Sequence, residues 1–144
     1  MDIYKAGKAD GEFIFHGLSE MMDQAQFSLD AFLRFFEKYI QLDNSSVYIA
    51  VVDGERVGLA TLNRYPILRF IGYAYEIEEY LIVEKHRRKG YGKEFLQMLI
   101  KMCKQDAEAR KILVKTNGDD SRSLYAQYMR ITDYTSYQEF LNKV

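Results

Sequence analysis

The residues best suited to chemistry lie in one short stretch, where a basic run is followed by two closely spaced glycines. The run from Lys85 to Lys89 precedes Gly90 and Gly92, and an amphipathic helical pattern begins at the same point. The first turn of a helix has backbone N–H groups without internal partners, and it carries the positive end of the helix dipole. Glycines let an anion approach this backbone. The stretch therefore predicts a phosphate-binding site that needs no metal.

Two common phosphate-binding motifs do not fit this stretch. A Walker loop needs Ser or Thr after its Gly-Lys pair, but Glu94 stands there, and Arg87 occupies the position of the first glycine. The dinucleotide fingerprint needs a third glycine, where this chain has Phe95. The pattern that does fit is Arg-x-x-Gly-x-Gly, formed by Arg87, Gly90 and Gly92.

Three glutamates lie just before the loop, in a segment that is predicted to be a long strand over residues 73–83. They are Glu76, Glu78 and Glu79, and a carboxylate in a cleft can act as a general base. Strand alternation places Glu76 and Glu78 on one face and Glu79 on the other, unless a bulge intervenes. An acidic strand face that only aids solubility explains any one of these glutamates equally well.

The surrounding pattern alternates β-branched runs with amphipathic stretches, which predicts an α/β layered domain. Asp53-Gly54 is typical of a hairpin turn, and residues 63–70 are predicted to be irregular or a strand end. The predicted strands cover residues 2–6, 47–52, 57–62, 73–83, 111–116 and 137–141. The predicted helices begin after an N-cap at Asp10 and near Ser28, and then cover residues 90–104 and 120–129.

Composition narrows the classes of function. The chain has 144 residues, of which 48% are hydrophobic, so it can form one domain with a buried core. Its net charge of −1 gives no general attraction to nucleic acid or anionic membranes. No apolar run approaches the roughly 18 residues needed to cross a bilayer. Cys103 is the only cysteine and there are two histidines, so we expect a cytoplasmic protein without a metal, a nucleic-acid partner or a membrane partner.

The run from Glu76 to Leu99 resembles motif A of the GNAT acetyltransferases, with a strand, a short connection, the Arg-x-x-Gly-x-Gly loop and a helix. The order of elements is similar over nearly the whole chain. The resemblance implies a single GNAT domain over residues 1–144, with a mixed central β-sheet of about six to seven strands flanked by about four helices. It implies an N-acetyltransferase that moves the acetyl group of acetyl-CoA to a primary amine of a small molecule or peptide, by direct attack on the thioester. Family members are often dimers, so a homodimer is a further expectation.

The resemblance also implies where coenzyme A binds. The pyrophosphate would lie on the loop, the pantetheine arm would pair with the strand backbone, and an N–H near Tyr80 or Leu81 would face the thioester oxygen. Asn117 fits the position of a pantetheine-binding Asn only with a shift of one residue. The implied cofactor-binding residues are Leu81, Ile82, Val83, Arg87, Arg88, Lys89, Gly90, Tyr91, Gly92, Lys93, Asn117 and Ser123.

Catalytic roles follow from the same resemblance. Glu76 aligns with the catalytic Glu of histone-acetylating members, and the Glu-Glu pair ending at Glu79 resembles that of glucosamine-phosphate and aminoalkylphosphonate acetyltransferases. Glu79 and Glu76 are therefore the candidates for the base that deprotonates the amine. The Leu-Tyr pair ending at Tyr125 resembles the pair that supplies the acid for the coenzyme A thiolate, and Tyr128 is the alternative.

Besides the shifted Asn117, two positions depart from the family pattern, and two other functions are alternatives. Glu84 stands where the family usually has Pro, and residues 129–132 lack the usual Gly-Phe. A non-catalytic acetyl-CoA sensor would need the loop but not the glutamates or Tyr125, whose presence favours an enzyme. Nucleic-acid binding through the basic loop is disfavoured because no wider basic stripe accompanies it.

Overall fold

The fold is one sheet with helices on both faces. The computed structural model describes residues 1–22, 27–116 and 119–130, and within them it contains five strands and four α-helices. The strands are β1 (Asp2–Lys5), β2 (Ser45–Val52), β3 (Glu55–Ile67), β4 (Gly72–Ile82) and β5 (Ala109–Val114). The helices are α1 (Gly11–Ser19), α2 (Leu29–Tyr39), α3 (Tyr91–Lys104) and α4 (Asp119–Ala126). Short 3-10 turns cover Lys8–Asp10, Leu68–Phe70 and Glu84–His86.

The predicted α/β class with a mixed sheet is confirmed. The strand order is β1-β2-β3-β4-β5, and every neighbouring pair is antiparallel except β4 and β5. Parallel strands need a crossover, which α3 provides. Six or seven strands were expected and five are described; the strand predicted at residues 137–141 lies outside the described residues. None of the helices described is long and apolar enough to cross a membrane.

Each face of the sheet buries its own apolar cluster. On one face α3 packs with Phe95, Leu96, Leu99 and Cys103 buried, which confirms the predicted apolar side of this helix. On the other face α1 and α2 cover a second cluster. Its buried residues are Ala6, Ile14, Phe36, Val47, Ile49, Leu59, Leu81 and Val83. The sheet is therefore fixed between two packed layers.

The β2–β3 connection is the predicted hairpin. Asp53 and Gly54 have φ angles of 51° and 79°, and two residues with positive φ are typical of a tight hairpin turn. β3 is longer than the predicted strand, because its pairing with β4 continues to Ile67 opposite Gly72. Pro66 fits because strand alternation directs its nitrogen away from β4, so no bond of that ladder is lost.

A bulge in β4 changes which of its side chains share a face of the sheet. Leu62 pairs with Ile77 and Ala60 pairs with Tyr80, so β4 has one more residue than β3 between these pairs. The extra residue shifts the alternation by one position. Ile77 and Tyr80 consequently lie on the face covered by α3, and Glu76 and Glu79 share the opposite face. The alternation predicted without a bulge, which grouped Glu76 with Glu78, is wrong.

Leu99→Ala should destabilise the protein because Leu99, on the side of α3 that faces the sheet, is completely buried. A cavity left by a buried Leu costs ~2–5 kcal/mol. Urea unfolding would measure this, with Leu68→Ala as the matched control, since Leu68 is 94% exposed and should change the free energy of unfolding by less than about 0.5 kcal/mol. Equal effects of the two substitutions would contradict this description of the core.

Candidate active site

The candidate site begins where β4 and β5 part. Their pairing ends at Ile77 opposite Val114, and β4 continues to Ile82 without a described strand on that side. The Val83 N–H donates to the Val57 carbonyl of β3 at 3.0 Å. Strand alternation then directs the backbone of Tyr80 and Ile82 away from β3, into the space that β5 leaves. An extended ligand can form hydrogen bonds with this open edge.

The backbone groups that were predicted to contact pantetheine do not all face the gap. Within the segment Leu81 to Val83, only Ile82 directs its backbone groups into the gap. Tyr80, which precedes this segment, does the same. Leu81 and Val83 direct theirs toward β3, and their side chains are buried in the cluster beneath α1 and α2. The Ile82 carbonyl accepts a bond from Arg87 Nε at 2.8 Å, so the open part of this edge consists of the Ile82 N–H and the backbone groups of Tyr80.

The basic loop directly follows the open edge and leads into α3. Arg88 and Gly90 have φ angles of 62° and 83°, which places both in the left-handed region. Such conformations turn successive backbone N–H groups to one side, where they can surround an anion. Gly90 precedes α3 with no side chain capping the helix, so the first N–H groups of α3 remain available. Arg88 and Lys89 are exposed beside them.

Tyr80 connects the open edge to the loop. Its hydroxyl donates a hydrogen bond to the Gly92 carbonyl in the first turn of α3. Its ring stacks on Phe95 at 5.4 Å and meets Tyr125 edge-on at 6.0 Å. Burial raises the pKa of Tyr80. The sequence indicated only the backbone of Tyr80, because no local pattern shows which helix a strand side chain will contact.

Tyr125 lies on α4 in the same aromatic cluster. Only 8% of its surface is exposed, and burial raises the pKa of its hydroxyl to about 12. A tyrosine in this state is protonated at neutral pH and can donate a proton. Tyr128 is half-buried, with Lys93 Nζ 6.0 Å from the centre of its ring. Ser123 is exposed on α4, and Asn117 lies outside the described residues.

Glu79 lies on the opposite face of the sheet, bonded to Thr61 in β3. The Thr61 hydroxyl donates to the Glu79 carboxylate, and the Glu79 N–H donates to the Thr61 oxygen at 2.8 Å. Burial raises the pKa of Glu79, while the Thr61 bond opposes that rise. Thr61 was not a candidate in the sequence, because its role depends on the pairing of β3 with the bulge.

Glu76 shares the face of Glu79 but has a different partner. Lys115 Nζ lies 2.7 Å from the Glu76 carboxylate, and this bond raises the pKa of Lys115. Glu78 is exposed at the bulge. The three glutamates therefore differ in environment: Glu79 is desolvated, Glu76 is neutralised by a lysine, and Glu78 faces solvent. Among the residues placed by the structure, no cluster of His, Cys, Asp or Glu could bind a metal ion.

The chain matches the family model described as "Acetyltransferase (GNAT) family" over residues 14–129. A comparison with curated protein sequences finds no match. The solved structure of ribosomal-protein-alanine N-acetyltransferase from Brucella melitensis biovar Abortus 2308 is similar, with a TM-score of 0.79, 20% identity, and coverage of 98% of this chain and 100% of that chain.

Two further solved structures are similar to a comparable degree. Glucosamine-6-phosphate N-acetyltransferase from Arabidopsis thaliana gives a TM-score of 0.78 at 17% identity, covering 98% of each chain. A transcriptional regulator from Bacillus halodurans C-125 gives a TM-score of 0.82 at 18% identity, covering 97% of this chain and 99% of that chain. At such identities the likeness shows the shared fold alone.

Thr61→Val should raise the pKa of Glu79 further, because it removes the hydroxyl that stabilises the ionised carboxylate. Loss of one hydrogen bond to a charged group corresponds to about one pKa unit. A carboxyl ¹³C NMR titration would measure the change. Ser45→Ala is the control, since the Ser45 hydroxyl donates to Asn63 at 2.8 Å rather than to Glu79. A Glu79 pKa that is unchanged or lowered in Thr61→Val would contradict the assignment.

The raised pKa of Glu79 also determines in which direction the stability of the fold changes with pH. A folded-state pKa above the ordinary 4.5 means that the folded protein binds the Glu79 proton more tightly than the unfolded chain does. The contribution of Glu79 to stability therefore falls as pH rises from 4.5 to the folded pKa. In Thr61→Val this fall should extend to higher pH, and urea unfolding across that range would detect it.

Proposed function

The chain belongs to the GNAT acetyltransferase family, and on this basis we propose that it transfers the acetyl group of acetyl-CoA to a primary amine of a small molecule or peptide. The observation that supports this most is the open edge of β4 next to the loop from Arg87 to Gly92. Glu79 and Tyr125 flank that edge from opposite faces of the sheet. One gap would thus bring together an anion site, a base and an acid.

The residues present fit coenzyme A. Acetyl-CoA supplies an acyl group activated as a thioester, and its long pantetheine arm has amides that can pair with the backbone of Tyr80 and Ile82. The pyrophosphate would contact the N–H groups at the start of α3, with Arg88 and Lys89 adding charge. The Tyr80 N–H would stabilise negative charge on the thioester oxygen as the amine attacks.

Glu79 would take the proton from the attacking amine. Amines are mostly protonated at pH 7, so a base close to the reacting nitrogen is required. Burial raises the pKa of Glu79 toward the operating pH, which makes it a stronger base than an ordinary surface carboxylate. Glu76 is already paired with Lys115, which makes it the weaker candidate for taking the proton.

Tyr125 would supply a proton to the departing thiolate of coenzyme A. Its hydroxyl is protonated at neutral pH, as an ordinary tyrosine is, and burial raises its pKa further, to about 12. It lies on the α3–α4 face, whereas Glu79 lies on the α1–α2 face. Acid and base are thus on opposite faces of the open strand, so the proton is removed on one side and delivered on the other.

The acceptor would bind on the face of Glu79, beneath α2. This face includes Tyr39, whose pKa is raised by burial and by the nearby Glu79 charge. Beside it, the Ser45 hydroxyl donates to Asn63. A partly polar surface of this kind suits a small amine or a peptide end that brings hydrogen-bonding groups of its own.

A thiol-release assay with acetyl-CoA and a panel of small amines, aminoglycosides, amino acids and peptide N-termini tests the proposal, alongside calorimetry of acetyl-CoA binding. We expect turnover with one class of amine, reduced about 100-fold in kcat by Tyr125→Phe while acetyl-CoA affinity is retained. The same loss in Tyr128→Phe instead would remove Tyr125 from the role of acid. Binding without turnover on any acceptor would favour the alternative, an acetyl-CoA sensor, and absence of binding would exclude both.

Glu79→Gln should lower kcat about 100-fold, because an amide cannot accept the amine proton. Its effect should shrink at high pH, where more of the free amine is present without help from a base. Glu76→Gln is the comparison and should cost much less, since Glu76 is paired with Lys115. The measurement is the pH profile of kcat/KM for the wild type and the two variants. A larger loss in Glu76→Gln than in Glu79→Gln would reverse the assignment of the base.

A further inference from the structure

Glu20, at the end of α1, contacts both the turn that precedes the basic loop and the first residue of the loop. Its Oε2 atom accepts a hydrogen bond from the Glu84 backbone N–H at 2.8 Å and from Arg87 Nη2 at 2.9 Å. Glu84 begins the 3-10 turn that connects β4 to the loop, and Arg87 begins the Arg-x-x-Gly-x-Gly pattern. One carboxylate oxygen thus joins α1 to both the start of the turn and the first motif residue.

Arg87 is fixed from two directions. Its Nε donates to the Ile82 carbonyl at 2.8 Å, and its Nη2 donates to Glu20. These bonds use two of the guanidinium donors, and the others remain available in a rigid planar group. The side chain is 45% exposed, so the remaining donors can reach a ligand without breaking either bond.

The contact at Glu84 orders the backbone that leads into the loop. The first N–H groups of a helical turn have no partner within it, and Glu20 supplies one for Glu84. The turn continues with Arg87 N–H donating to the Glu84 carbonyl at 3.2 Å. On the other side His86 is buried, with Nε2 3.2 Å from Glu55. The turn therefore lies between α1 and the β2–β3 hairpin.

We propose that Glu20 is a positioning residue for acetyl-CoA, which orients Arg87 and residues 84–92 so that they bind the pyrophosphate without first reorganising. This inference rests on the proposed function, because it concerns the same site. Its physical basis is preorganisation: a long arginine side chain that is already ordered loses less conformational freedom on binding. The charge of Glu20 does not oppose the ligand strongly, because Arg87 compensates it.

The alternative to positioning is that Glu20 competes with the ligand for Arg87. If Arg87 had to leave Glu20 to reach the phosphates, Glu20 would compete with the ligand, and its removal would strengthen binding. The donors that Arg87 keeps while bonded to Glu20 and Ile82 favour positioning. Removal of Glu20 weakens acetyl-CoA binding if Glu20 positions Arg87, and strengthens it if Glu20 competes with the ligand.

The test compares Glu20→Gln with Glu12→Gln, an exposed glutamate on the same helix, using two acetyl donors. Acetyl-CoA has the pyrophosphate, and S-acetylpantetheine lacks it. In Glu20→Gln we expect the Kd and KM for acetyl-CoA to rise about tenfold, the cost of one charged hydrogen bond. Its kcat, and its kcat/KM for S-acetylpantetheine, should stay within about twofold of wild type. Glu12→Gln should match wild type with both donors.

Arg87→Gln completes a double-mutant cycle. Because Glu20 acts through Arg87, most of the loss caused by Glu20→Gln should disappear in the Arg87→Gln background. Equal losses with both donors would show that Glu20 only stabilises the fold and would overturn the proposal, as would unchanged or tighter acetyl-CoA binding in Glu20→Gln. If wild type binds no acetyl-CoA, the proposed function fails as well; if wild type binds and Glu20→Gln binds equally well, only the role of Glu20 fails.

Discussion

The early end of the β4–β5 pairing is the constraint on which the candidate site depends. The two strands are bonded only as far as Ile77 and Val114, although β4 continues to Ile82. Backbone groups at a sheet edge must find partners elsewhere. Here they face a gap next to the loop that opens α3, so in the proposed function the break in the sheet supplies a surface for an extended ligand beside the place for its phosphates.

The bulge in β4 determines what surrounds that gap. One extra residue reverses the alternation, and the Thr61 oxygen accepts the Glu79 N–H that the irregular ladder would leave without a partner. Glu79 and Glu76 therefore lie on the face covered by α1 and α2, while Tyr80 turns toward Tyr125 and α3. A local irregularity of the backbone thus separates the proposed base from the proposed acid.

The loop itself is supported from both faces of the sheet. Tyr80 bonds to the Gly92 carbonyl on the α3 side, and Glu20 bonds to Glu84 and Arg87 on the α1 side. A phosphate site made of backbone N–H groups is useful only when those groups point to one place before the ligand arrives. The two side chains contact the loop at its two ends, and in the proposed function these contacts supply the preorganisation that such a site requires.

The sequence by itself determined the features that depend on neighbours along the chain. The loop from Arg87 to Gly92, the buried side of α3 and the hairpin turn at Gly54 follow from glycine positions and periodicity, which act over a few residues. Only the tertiary structure decided which glutamates share a face, that Tyr80 reaches Gly92, and that Glu20 contacts Arg87. Glu79 and Thr61 are 18 residues apart, and Glu20 and Arg87 are 67 apart. Such contacts arise from the register of strands and the packing of helices, and one inserted residue in a strand reverses them without leaving a local signal in the sequence.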